Sequence, residues 1–99
     1  MVSLVLEVTF LARVLVSFRV LPSDVSVDLN VLKGKIEDGL PKFASVHKFV
    51  EEPIAFGLTA LIVHIIMPEE RSGGVDEVEK SLLKIEEVNE IESLMVRRI

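Results

Sequence analysis

The chain has 99 residues, 49% hydrophobic and 27% charged, which suits one compact domain with a real core and argues against disorder. Its 16 acids against 11 bases leave a net charge of −5, which argues against a nucleic-acid binder that relies on bulk positive charge. The absence of cysteine excludes disulfides and thiolate chemistry.

Residues 1–12, MVSLVLEVTFLA, read as an apolar N-terminal extension and a candidate extra strand ahead of a domain spanning 13–99. Over the first 21 residues no basic segment precedes the apolar part and no small-residue cleavage site follows it, so they do not read as a signal peptide. Glu7, Arg13 and Arg19 would each cost roughly 2.5–3.5 kcal/mol at a bilayer centre, which argues against a membrane span. A soluble, cytoplasmic protein is expected. Over residues 14–21, Val14, Val16, Phe18 and Val20 alternate with Ser17 and Arg19, predicting a strand that Pro22 ends. Leu29, Leu32, Ile36 and Leu40 then recur at helical spacing, with Asp28 as N-cap and Pro41 as stop.

Residues 45–51 and 58–67 read as two strands of a hairpin joined by a slightly long connection, EPIAFG. A polar loop, PEERSGG, leads to a second helix marked by Val75, Val78, Leu82 and Ile85, with Asp76 and Glu77 favourable at its start. Residues 88–97 form the last strand. The order β-α-β-β-α-β predicts an α+β, ferredoxin-like sandwich. It is a four-stranded antiparallel sheet with two helices on one face and strands one and three in the centre. Strand three is apolar on both faces. The helix-free face is therefore expected to be covered by residues 1–12, by a second copy of the chain or by a partner.

Catalytic signatures are missing. There is no phosphate loop, no G-x-G-x-x-G and no H-E-x-x-H. Gly73-Gly74 read as a flexible connector, His47 and His64 as hydrogen-bonded sheet histidines, and the paired glutamates at 51–52, 69–70 and 86–87 as solvated charge. An RNA-recognition module shares the topology but needs exposed aromatics on its central strands, and Phe18 alone does not supply them. No enzyme, cofactor, metal or direct nucleic-acid contact is expected.

With VLVSFRVLP, VDLNVLKGKIE, HKFVEEPIAFGLTAL and the ending VRRI in this order, residues 14–99 resemble the archaeal elongation factor 1-beta family. Those proteins are guanine-nucleotide exchange factors for the translation GTPase elongation factor 1-alpha. The resemblance implies that Phe56 protrudes and wedges into the GTPase, with Pro53, Ile54 and Gly57 shaping its loop. It also implies that the penultimate basic residue, here Arg98, reaches toward the partner's Mg²⁺ and phosphate region, with Ile99 as the aliphatic end. Arg97 is its neighbour and on a strand should point the other way.

Two other classes share the topology. A small-ligand regulatory or oligomerisation module would dimerise through its sheets. The two-sided apolar third strand favours it, and the lack of a ligand-grade polar cluster counts against it. An acylphosphatase-like enzyme would want an arginine-bearing anion loop after strand one, where PSDVSVD carries acids. Self-association through residues 1–12 or the helix-free face is a further expectation.

Overall fold

The computed structural model of the chain describes residues 12–69 and 73–99. The expected N-terminal strand, apart from Ala12, and residues 70–72 of the polar loop lie outside the described residues. Six elements follow in order: β1 (Arg13–Pro22), α1 (Leu29–Gly39), β2 (Ser45–Ala55), β3 (Leu58–Pro68), α2 (Gly74–Leu83) and β4 (Val88–Arg98). The strands form one antiparallel sheet in the order β2-β3-β1-β4, so strands one and three are central as the element order predicts.

Period-two alternation puts Val16, Phe18 and Val20 of β1 and Leu61, Val63, Ile65 and Met67 of β3 on one face. Leu32 and Ile36 of α1 and Val78 and Leu82 of α2 close over them, and the whole set is buried. Each such side chain, fully buried, contributes roughly 1.5–3 kcal/mol, so this single layer is the source of the domain's stability. Ile85 packs against the core from just past the end of α2 rather than from within the helix.

Both helix starts follow from local chemistry. The Asp28 side chain accepts from the N–H groups of Asn30 (2.9 Å) and Val31 (3.3 Å), which would otherwise be orphaned at the start of α1. Asp28→Ala is expected to lower stability by about 0.5–2 kcal/mol in urea unfolding. An unchanged midpoint would show that water replaces the cap without loss. Helix α2 has no side-chain cap. Gly73 sits there at φ 72°, a conformation that favours glycine, and Asp76 and Glu77 offset the helix dipole in the first turn.

The helix-free face is more closed than an open sheet suggests. Ser17 is 1% exposed and Leu15 is buried, while Val50 and Met95 stay exposed beside them. Ser17 Oγ lies 2.6 Å from His64 Nδ1 on the adjacent strand. Further along the same face, Arg19 Nε donates to Glu52 Oε1 (2.8 Å) and its Nη1 to Glu92 Oε1 (2.5 Å). Arg19 thus links β1 to β4 and, across β3, to β2, and both carboxylates raise its pKa.

Burial, with the nearby charge of Lys48, holds the His64 pKa below its ordinary value of 6.5. Below about pH 6.5 the unfolded chain therefore binds more protons there than the folded one. That part of the stability is complete above this pH and is lost as pH falls through the folded value. His64→Gln is expected to flatten the decline of the urea midpoint between about pH 7.5 and 5.5. An equal decline in both proteins would refute the assignment.

Candidate partner-binding site

The hairpin joining β2 to β3 differs from the expected six-residue connection. β2 continues through Pro53, which pairs with Thr59, to Ala55, which pairs with Leu58, leaving only Phe56 and Gly57 as the turn. β2 is an edge strand, and an edge tolerates proline where a central strand would not. Ile54 has no opposite residue between those two pairs, so it forms a bulge one step from the tip and is exposed.

Phe56 and Gly57 both have positive φ, 54° and 78°, as a two-residue turn of type I′ requires. Glycine adopts this at no steric cost, whereas an L-residue with a side chain loses about 1–2 kcal/mol in the left-handed region. Phenylalanine is among the least suited residues for it. The ring gains nothing in return from this chain: relative exposure is 101%. A strained backbone thus carries a fully solvated aromatic at the outermost point of the hairpin. Beside it, Gly57 and Leu58 share a shallow cleft with Pro22 at the end of β1 and Val25 of the loop that follows. Val25 is itself exposed, so this end of the molecule presents Ile54, Phe56 and Val25 together.

Arg97, Arg98 and Ile99 lie at the other end of the sheet. Arg97 pairs with Leu15 and Arg98 with Val14, so the two side chains leave on opposite faces. Arg98 is on the side of the helices, where it meets Glu69 just past the end of β3. Arg97 shares the helix-free face with Met95, which pairs with Ser17. The Ile99 N–H donates to the Arg13 carbonyl (3.0 Å), fixing the chain end to β1, and its side chain stays exposed.

The expected residues therefore form two clusters. Pro53, Ile54, Phe56 and Gly57 surround the start of β3, whereas Arg98 pairs with Val14, itself opposite Met67 near the end of β3. At about 3.3 Å per residue the two clusters stand ~30 Å apart. No group of three or more His, Cys, Asp or Glu among the described residues is arranged to hold a metal ion. No described helix is long and apolar enough to cross a membrane. The contact between Glu69 and Arg98 escapes a reading of the sequence, because it depends on strand order that brings the ends of β3 and β4 to either side of β1.

Residues 15–99 match the EF-1 guanine nucleotide exchange domain. Among curated proteins, the elongation factor 1-beta of Staphylothermus marinus is 44% identical over 89 residues, covering 90% of this chain and 99% of that protein. That of Aeropyrum pernix is 46% identical over 89 residues, with the same coverage of each chain. That of Methanothermobacter thermautotrophicus is 42% identical over 86 residues, covering 87% of this chain and 96% of its own.

Proposed function

We propose that this chain, which belongs to the EF-1 guanine nucleotide exchange domain family and within it to the elongation factor 1-beta proteins, promotes GDP release from the translation GTPase elongation factor 1-alpha. The observation that carries this reading is Phe56, a fully exposed aromatic held in a left-handed conformation. Strain of this kind persists where surrounding structure imposes it, and it clusters at sites of contact. An apolar ring with no use inside its own domain suits a pocket on another protein.

Exchange of this kind needs no covalent chemistry. The factor must bind the nucleotide-free GTPase more tightly than the nucleotide-bound form. Linkage then makes nucleotide and factor weaken each other's binding by the same factor. The two clusters divide that task in our reading. The hairpin tip supplies apolar burial and hence affinity. Arg98 brings a cationic planar fork that acts on the anionic nucleotide site and its Mg²⁺. A partner engaging both must present a surface at least as broad as their separation, which makes this an extended interface rather than a single pocket.

The test is direct. An archaeal elongation factor 1-alpha loaded with fluorescent GDP is chased with excess unlabelled nucleotide, with and without this chain. Release should quicken and saturate with rising factor concentration. A release rate independent of the factor would refute the proposal.

A further inference from the structure

Arg98 makes a specific contact in the unbound chain. Its Nε donates to Glu69 Oε2 at 2.9 Å, and its Nη2 donates to the same oxygen. The main chain on both sides is tied down before these side chains meet. The Glu69 N–H donates to the Ala12 carbonyl (3.1 Å), and the Ile99 N–H donates to the Arg13 carbonyl (3.0 Å). Ala12 and the first residue of β1 thus serve as a common rail for the end of β3 and the end of β4. Glu69 and Arg98 reach each other across it.

A guanidinium offers more than one hydrogen-bonding edge. Glu69 occupies the Nε–Nη2 edge, and the Arg98 side chain is still 73% exposed. Its Nη1 makes no hydrogen bond to any described residue. An oxyanion arriving from outside therefore meets donors whose direction is already set. A lysine ammonium at this position would lack that division of labour between two edges of a planar fork.

We propose that Glu69 is the positioning residue for Arg98, holding one edge of the guanidinium so that the other faces an oxyanion in the partner's nucleotide site. The proposal rests on the role given to Arg98 above. In its absence the arginine orders its long side chain only at the moment of engagement. An exposed ion pair of this type changes an equilibrium by up to about fivefold, which bounds the effect.

The experiment compares GDP release promoted by the full chain, Glu69→Gln, Glu69→Ala, Arg98→Ala and Glu69→Gln/Arg98→Ala across factor concentrations. Glu69→Gln should lower the maximal release rate by about two- to fivefold. The half-saturating concentration should not change, because the hairpin tip still docks. Glu69→Ala, which removes the acceptor as well as the charge, should lose at least as much. The double variant should release GDP no more slowly than Arg98→Ala alone. Melting temperatures of the Glu69 variants should fall no further than that of Arg98→Ala, which loses the same pair, separating positioning from folding. A Glu69→Gln rate equal to or above the parent's would overturn the proposal. So would a loss confined to half-saturation, or a further loss in the double variant. If the parent chain does not accelerate release, or Arg98→Ala accelerates it undiminished, the role of Arg98 falls and the proposal falls with it.

Discussion

Replacing Phe56 with asparagine is expected to remove most of the exchange activity at subsaturating factor concentrations while making the domain more stable. The two effects have separate causes. In the free chain the ring is fully exposed, so its loss forfeits no burial. Its backbone, at φ 54°, is strained for phenylalanine and comfortable for asparagine. The substitution also creates Asn-Gly, the pair that type I′ turns favour most. Relief of the left-handed penalty should stabilise the domain by about 1 kcal/mol, raising the melting temperature by about 4–8 °C for a domain of this size. In the complex the same substitution removes the buried ring. Full burial of a phenylalanine contributes roughly 1.5–3 kcal/mol, so factor affinity should weaken about tenfold to a hundredfold. The signature is a raised half-saturating concentration in the GDP-release assay together with a higher melting temperature. A variant that melts lower would show that the turn is not strained. One with undiminished affinity would remove Phe56 from the interface.

Which features the sequence discloses depends on the distance over which their causes act. Leu29, Leu32 and Ile36 announce a helix, and Asp28 announces its start, because spacing and capping act within one turn. The element order then leads to the sheet order through the handedness of crossovers. Pro53 misleads for the opposite reason. Read locally it ends a strand, yet it lies inside β2, since whether a missing N–H matters is decided by which strands are edges. Ser17 reads only as a polar residue alternating with the core positions of β1. It is buried on the central strand, and its hydroxyl is satisfied by His64, a partner 47 residues away. Phe56 is the most instructive case. A loop phenylalanine considered by itself suits packing back onto the core, and it is the family resemblance that implies it protrudes. Its positive φ has no trace in composition or periodicity. It comes from closing β2 and β3 with two residues, a length that the misplaced end of β2 concealed.

Removing the guanidinium of Arg98 is expected to act on a different kinetic quantity. Hydrogen bonds to charged groups contribute about 1.5–3 kcal/mol, so Arg98→Ala should reduce the maximal rate of GDP release roughly tenfold to a hundredfold. Loss of its exposed pair with Glu69 should cost the free domain no more than about 1 kcal/mol. Arg97→Ala is the matched control. Arg97 is adjacent in sequence, equally charged and on the opposite face, so its removal should change the maximal rate by no more than about twofold. A larger loss for Arg97 than for Arg98 would reverse the assignment. Because ~30 Å of sheet separates Arg98 from Phe56, the two substitutions should act independently. In Phe56→Asn/Arg98→Ala the loss in affinity and the loss in maximal rate should multiply without interaction. A strong departure from that product would mean that both ends report on one rearrangement of the partner. The tip would then do more than anchor, because seating it would be part of the step that loosens the nucleotide.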